Sequence, residues 1–268
     1  MRATWRESRE NTRIVRTNVT PMTTTTGRSK PDYGIDAPGA VWTLLIIGIG
    51  VILTSRFVPR VTIGPVTFVF GGAGYFWGTG MCLGAAAMVV YSIYGKMRLR
   101  DKILGMVAWT GRETVLDVGT GRGLLLIGAA KRLTSGKSVG IDIWSGKDLS
   151  GNTPEATLRN AEIEGVRDRV EVESGDATAM KFPDATFDVI VSNLCIHNIP
   201  GRAARERACR EIVRVLKPGG KAIICDFIRT GEYTKVFQAA GAAARRGGWI
   251  PAYVWPALRI IEVEKPAR

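Results

Sequence analysis

Residues 115–123 read Val-Leu-Asp-Val-Gly-Thr-Gly-Arg-Gly, and this stretch decides the fold of the chain. The apolar residues around Asp117 predict a buried strand, and the glycines at 119, 121 and 123 predict a tight turn after it. Glycine has no side chain to keep a ligand away from the backbone of such a turn. The pattern therefore indicates a nucleotide-like ligand lying against bare backbone between a strand and a helix.

From residue 96 onward, short apolar runs alternate with segments of helical periodicity. Strands are predicted near 114–118, 138–142, 169–173, 187–192, 221–227 and 258–264. Helices are predicted near 122–133, 154–164, 202–216 and 232–243. This alternation is typical of an α/β protein whose mainly parallel sheet carries helices on both faces.

Two uncharged apolar segments, 37–55 and 72–94, precede this region, and each is long enough for one bilayer crossing. The alternative is a buried helical hairpin in a soluble protein. Small residues at Gly78, Gly80 and Gly84 predict close packing of the two helices. Amphipathic rings that suit a membrane interface lie near the segment ends, at Trp42, Tyr75, Trp77, Tyr91 and Tyr94.

These features divide the chain into a disordered basic tail (1–36), a two-helix transmembrane hairpin (37–95) and an α/β domain (96–268). The tail is polar and rich in threonine, and Met22 is an alternative start of translation to Met1. The sequence does not decide between the two starts.

The chain has a formal net charge of +13, and its first 100 residues hold 12 Lys and Arg against 4 Asp and Glu. The excess flanks the apolar segments, whereas the short loop between them carries only Arg56 and Arg60. By the positive-inside rule, we expect both termini and the α/β domain to be cytoplasmic. The folded part shows no basic stripe interleaved with aromatic residues, so we predict a membrane rather than nucleic acid as partner.

The four cysteines have no paired spacing, and His197 is the only histidine. We therefore expect no Cys/His metal site. We expect the cysteines to be reduced, buried thiols.

Residues 114–227 resemble a class I S-adenosylmethionine-dependent methyltransferase of the UbiE-like, or type 11, group. The resemblance lies in five motifs in the family's order: 117–123 with its leading acid, Val-Gly-Ile-Asp at 139–142, Gly-Asp-Ala at 175–177, the strand region 182–192, and Leu-Lys-Pro-Gly-Gly at 216–220. It implies a Rossmann-like, doubly wound, mainly parallel seven-stranded sheet and S-adenosyl-L-methionine as cofactor. A nicotinamide dehydrogenase would favour the spacing G-x-G-x-x-G, whereas this chain has G-x-G-x-G after an acid.

The family's motifs also imply roles for individual residues. The glycine turn would pack against the methionine and ribose of the cofactor, with Asp117 near its amino group. Asp142 would accept hydrogen bonds from the ribose hydroxyls, and Asp176 would meet the adenine amino group. The cofactor-binding residues predicted in this way are Asp117, Gly119, Thr120, Gly121, Gly123, Asp142, Ile143, Asp176, Ala177 and Asn193.

His197 follows the fourth predicted strand, at the edge of the sheet where ligands bind in such folds. Two interpretations stay open: a general base for the acceptor, or a histidine that shapes the pocket. Ser192 and Asn193 are expected to line the pocket, and Asp226 to face the acceptor.

Residues 143–152 form a longer connection after Asp142 than typical members of the family have. Because the loop carries Trp144 and two glycines, we expect it to close over the cofactor or to meet the acceptor. A solvated insertion is the alternative.

The predicted function is that of a membrane-anchored methyltransferase acting on a small, lipophilic acceptor such as a lipid or a quinone precursor. Two alternatives stay open: an inactive scaffold that binds the cofactor, and an enzyme for a polar small molecule whose apolar hairpin is an oligomer interface.

Overall fold

The computed structural model describes residues 30–69, 71–250 and 256–267. Residues 1–29 of the predicted tail lie outside the described residues. The apolar segments form two helices, α1 (Pro38–Phe57) and α2 (Gly71–Val90). An antiparallel ribbon of β1 (Arg60–Ile63) and β2 (Val66–Val69) lies between them. Helix α2 runs through a π-helical turn (Tyr91–Gly95) into α3 (Lys96–Leu104).

Helices α1 and α2 pack against each other through glycines. A Cβ on Gly48 would lie 2.8 Å from the Gly78 carbonyl oxygen, and a Cβ on Gly78 would lie 2.7 Å from that of Gly48. Only glycine allows this backbone approach, which confirms the predicted packing role of Gly78. Gly80 is different, because its position faces open space.

Both helices are long and apolar enough to cross a membrane, in the ranges Pro38–Phe57 and Gly71–Leu104. Only 17% and 22% of their most apolar windows are buried, whereas the core helix of a soluble protein would be mostly buried. Exposed apolar side chains cover their outer faces, among them Trp42, Ile46, Phe57, Phe76, Trp77 and Leu83.

The described residues after α3 form a seven-stranded sheet with its flanking helices. Its strands are β3 (Thr114–Val118), β4 (Lys137–Asp142), β5 (Val170–Ser174), β6 (Phe187–Asn193), β7 (Leu216–Asp226), β8 (Ala243–Trp249) and β9 (Arg259–Glu264). Its helices are α4 (Leu124–Ala130), α5 (Pro154–Ile163), α6 (Arg202–Val215) and α7 (Thr230–Ala239). The strand order is β5-β4-β3-β6-β7-β9-β8, and only β9 runs against its neighbours. The predicted α/β class and mainly parallel sheet are confirmed.

The order reverses at β3, because β4 lies on one side of it and β6 on the other. Ligands of such sheets bind in the crevice beyond the carboxyl ends of the strands at this point. The glycine turn follows β3 directly, so the fold places it at the crevice.

Two strands differ from the prediction. Strand β7 begins at Leu216 rather than at 221, since Leu216 already pairs with Phe187 of β6. Strand β8 is not indicated by the sequence, because Ala-Ala-Arg-Arg-Gly-Gly-Trp has no apolar alternation. It is an exposed strand at the edge of the sheet, and it is recognised as a strand only by its pairing with β9.

Residues 31–36, which the sequence analysis includes in a disordered tail, pack against the catalytic domain. Tyr33 is buried, and its hydroxyl donates to Glu164 over 3.1 Å. The buried Lys96 ammonium donates to the carbonyl oxygens of Tyr33 and Gly34 over 2.7 and 2.6 Å. It also lies 3.3 Å from the Asp36 carboxylate. Because these partners are distant in sequence, local composition could not reveal the contact.

The loop 143–152 receives this segment. The Ala37 amide donates to the Asp148 carbonyl over 2.8 Å, and the Ser150 amide donates to the Ile35 carbonyl over 3.1 Å. The Ser150 hydroxyl accepts from the Ile35 amide over 2.8 Å. The loop therefore joins the hairpin to the domain, a role that neither interpretation of the sequence included.

Replacing Lys96 with methionine should loosen this junction. Loss of the charge-assisted hydrogen bonds should raise the free energy of the docked state by about 2–3 kcal/mol. We expect hydrogen–deuterium exchange of residues 31–36 in the full-length chain to accelerate at least tenfold. Lys102→Met, a change at an exposed position of α3, is the control. Unchanged exchange in Lys96→Met would show that the ammonium does not hold the junction.

Candidate functional site

The glycine turn takes a backbone conformation that other residues rarely adopt. Gly119, Gly121 and Gly123 have φ values of +73°, +54° and +86°. A Cβ on Gly119 would also collide with the Cys195 side chain. The turn is tied to β4, because the amides of Gly119 and Thr120 both donate to the Ile141 carbonyl, over 2.9 and 3.0 Å.

Asp117 supports the turn from beneath. Its carboxylate accepts hydrogen bonds from the Thr120 hydroxyl and the Leu126 amide, both over 2.9 Å. Burial raises the pKa of this carboxyl to about 7, although the two hydrogen bonds act in the opposite direction. Asp117 and Thr120 therefore shape the turn, and they do not line the cavity described below.

Asp142 ends β4 with its carboxylate fixed at the cavity wall. One oxygen accepts from the Gly121 amide over 2.8 Å, and the other accepts from the Trp144 amide over 2.7 Å. The Asn152 amide group lies 3.3 Å from the second oxygen. These donors fix the carboxylate at the cavity wall, next to the glycine turn. The Trp144 indole instead donates to Ser174 over 3.0 Å, so the ring does not line the cavity.

His197 and Asp226 form a pair on the opposite side of the crevice. The imidazole Nδ1 lies 2.8 Å from Oδ1 of Asp226, and the His197 amide donates to Oδ2 over 3.2 Å. Asp226 is 1% exposed, while His197 lines the cavity and packs edge-on against Phe227. The Nδ1–Oδ1 contact is close but lacks the geometry of a hydrogen bond, and the regular hydrogen bond between the two residues is the one that the His197 backbone amide donates. With the carboxylate beside Nδ1, Nε2 is the ring nitrogen left for a substrate.

Ser192 does not line the cavity, because its hydroxyl is buried and donates to the Val118 carbonyl over 2.8 Å. It joins β6 to β3. The Cys195 thiol reaches the cavity, but burial and nearby carboxylates raise its pKa above the ordinary range. The thiol therefore stays protonated and is a poor nucleophile.

A cavity of about 860 Å³ is lined by the glycine turn, Asp142 and His197. This volume is near the upper end of the range of ~300–1,000 Å³ for small-molecule sites. Seven of the ten predicted cofactor-binding residues line it: Gly119, Gly121, Asp142, Ile143, Asp176, Ala177 and Asn193. Gly123 is not among them and forms the N-terminal boundary of α4.

The sequence analysis missed the part of the cavity formed by the hairpin. Asp36, Ala37, Ala40, Met88 and Tyr91 line it together with the sheet edge. No sequence signal links these positions to the glycine turn, because the packing of the hairpin on the domain brings them there. Among the described residues, no group of three or more His, Cys, Asp or Glu is placed to hold a metal ion.

Residues 116–224 match the family model of a methyltransferase domain. The chain is 34% identical over 120 residues to a sterol 4-C-methyltransferase of Caenorhabditis elegans, covering 45% of this chain and 33% of that protein. It is 36% identical over 143 residues to a ribosomal protein L11 methyltransferase of Cupriavidus metallidurans, covering 53% and 38%. The chain thus spans about a third of the length of these relatives, and their named substrates differ widely.

The structure of an O-methyltransferase family protein from Burkholderia thailandensis superposes on this one with a TM-score of 0.54 and 14% sequence identity. The superposition covers 86% of this chain and 73% of that protein. At this identity the likeness shows the fold alone. It agrees with the Rossmann-like sheet described above.

Asp117 should make stability depend on pH. The usual pKa of an aspartate is about 4, and that of Asp117 in the folded protein is about 7. At pH values between these two, the folded protein retains a proton that the unfolded chain has released. The free energy of unfolding therefore falls as the pH rises through this window. Asp117→Asn keeps an oxygen for the Leu126 amide and removes the titration, so its decline between pH 4.5 and 7 should be shallower.

Denaturant unfolding of the full-length chain at several pH values measures this slope. Asp168→Asn, at a 75% exposed side chain, serves as the control and should follow the parent. Identical slopes for the parent and Asp117→Asn would contradict the raised pKa.

Proposed function

We propose that this chain, which carries a class I S-adenosylmethionine-dependent methyltransferase domain, methylates a small lipophilic molecule at a membrane. The observation that carries the proposal is the single cavity that joins the glycine turn, the Asp142 carboxylate and the His197–Asp226 pair. An oriented base next to a cofactor site suits methyl transfer to an acidic group.

The residues present fit S-adenosylmethionine. The turn exposes bare backbone at Gly119 and Gly121, and Asp142 presents a carboxylate that can accept two hydrogen bonds from neighbouring ribose hydroxyls. The exposed Asp176, which caps its own turn by accepting from the Thr178 amide over 2.8 Å, lies where an adenine amino group can be bound. These residues would hold the cofactor.

When bound, the cofactor would supply a methyl group activated by its positive sulfur, which would keep the electrons of the carbon–sulfur bond as the acceptor took the methyl group. His197 takes the acceptor's proton on Nε2, and Asp226 stabilises the resulting imidazolium. The apolar side chains of Leu194, Ile199 and Phe227 exclude water around the reacting groups.

The membrane part of the proposal is supported by the hairpin. Its helices are long, apolar and little buried. Their outer faces carry exposed apolar side chains, whose contact with water is unfavourable. Basic residues follow the second helix at Lys96, Arg98, Arg100 and Lys102. By the positive-inside rule they favour a multi-pass topology with both termini and the catalytic domain in the cytoplasm.

Both alternatives to this function have a distinguishing observation. An inactive scaffold would bind S-adenosylmethionine and transfer no methyl group to any fraction of a cell extract. An enzyme for a polar molecule would methylate a water-soluble fraction and would leave membranes in carbonate without detergent. A total lipid extract incubated with methyl-labelled cofactor should instead give a labelled product soluble in organic solvent.

Asp142→Asn should weaken cofactor binding. The neutral amide offers one acceptor oxygen in place of two charged ones, so loss of a charge-assisted hydrogen bond should reduce affinity at least tenfold. Calorimetric titration of the full-length chain with S-adenosylhomocysteine measures it. Glu171→Gln on the neighbouring strand β5, at an exposed position, should bind like the parent. Parent-like affinity of Asp142→Asn would remove Asp142 from the site.

His197→Gln should lower methyl transfer about 10²- to 10⁴-fold, the usual contribution of a general base. Affinity for S-adenosylhomocysteine should stay within twofold of the parent. Arg202→Gln, at a side chain 74% exposed on α6, is the control. A normal rate in His197→Gln would leave this histidine a structural role only.

A further inference from the structure

Tyr91 is the residue at which the hairpin enters the catalytic domain. It begins the π-helical turn between α2 and α3, and it is 3% exposed in an apolar cluster with Leu99 and Val115. The sequence analysis groups Tyr91 with the aromatic residues of a membrane interface, whereas the structure buries it. Tyr94, three residues further on, is 69% exposed. Single π-helical turns within long helices frequently occur at functional sites.

The Tyr91 hydroxyl is a buried polar group on the cavity wall. It lies beside the Asn193 side chain, and neither this hydroxyl nor Asn193 Oδ1 has a hydrogen bond of normal geometry within the described part of the chain. The hydroxyl and the amide lie side by side next to the glycine turn, and together they offer a donor and an acceptor to a polar group of a ligand.

Apolar surface continues from this polar point along the hairpin. Met88 lies nearly one helical turn before Tyr91, and both line the cavity with Ala40 of α1. Ala40 is also exposed on the hairpin surface, so the cavity opens along the face of the helices. A molecule that fills this space has a polar group at Tyr91 and Asn193 and an apolar body beside Met88 and Ala40.

We propose that the hairpin forms one wall of the acceptor site. The Tyr91 hydroxyl and the Asn193 amide hold an oxygen of an amphipathic acceptor, whose apolar body extends past Met88 and Ala40 into the bilayer. This inference rests on the proposed function and deepens it, because it names the acceptor class: an alcohol, phenol or carbonyl compound with a large apolar body. The hairpin then selects the acceptor as well as anchoring the enzyme.

Tyr91→Phe in the full-length chain, reconstituted in nanodiscs, tests the proposal. With a total lipid extract of the source cells and methyl-labelled cofactor, we expect the initial rate to fall at least tenfold. Binding of S-adenosylhomocysteine should stay within twofold, and the unfolding temperature should stay close to that of the parent, because the buried aromatic ring is kept. A tyrosine with a purely structural role would instead lose stability. Tyr94→Phe, on the same π-helical turn, should keep the parent rate.

A second measurement does not depend on turnover. Phosphatidylcholine nanodiscs carrying a long-chain alkylphenol with a diazirine group are irradiated, and labelled peptides are mapped by mass spectrometry. We expect labelling at Met88 and in residues 194–199, reduced severalfold by Tyr91→Phe and by Ala40→Trp, which narrows the opening. Labelling confined to outward-facing residues such as Leu83 and Ile93 would overturn the proposal.

The two measurements separate this inference from the proposed function. A parent chain that labels at the cavity but transfers no methyl group to the extract would overturn the proposed function. An active parent whose rate is unchanged in Tyr91→Phe would overturn the acceptor wall and leave the methyltransferase function intact.

Discussion

The functional site depends on a backbone turn that two carboxylates hold open. Gly119, Gly121 and Gly123 all take positive φ, a conformation that side-chain-bearing residues seldom adopt. Asp117 ties the turn to the start of α4 from beneath, and Asp142 holds the Gly121 amide from the next strand. Because the turn ends the central strand of the sheet, its geometry sets where the crevice lies and which strand ends face it.

The second constraint is the attachment of the hairpin. The Lys96 ammonium donates hydrogen bonds to the carbonyl oxygens of Tyr33 and Gly34 and lies 3.3 Å from the Asp36 carboxylate. The loop 143–152 forms backbone hydrogen bonds with Ile35 and Ala37. These contacts fix the hairpin beside the glycine turn, so one cavity has walls from both parts. The long loop after Asp142 is therefore explained by the segment that it binds.

Much of the fold followed from residue patterns. Strands β3, β4, β5, β6 and β9 lie within one residue of their predicted bounds, since buried parallel strands are short apolar runs bounded by polar residues. Edge strand β8 escaped prediction because its exposed residues carry no burial pattern. Ser192 and Trp144 were expected near the ligand, but their hydrogen bonds to Val118 and Ser174 turn them away from it.

The sequence by itself determined the glycine turn, the acids at its flanks, the class of cofactor and two helices long enough for a membrane. These features are local, because a turn, a strand end or an apolar helix is specified by adjacent residues. Only the tertiary structure decided that Asp226 orients His197, that residues 31–36 bind the loop 143–152, and that Tyr91 turns inward beside Asn193. Each of these contacts joins residues far apart in the chain, and which partners meet is set by packing.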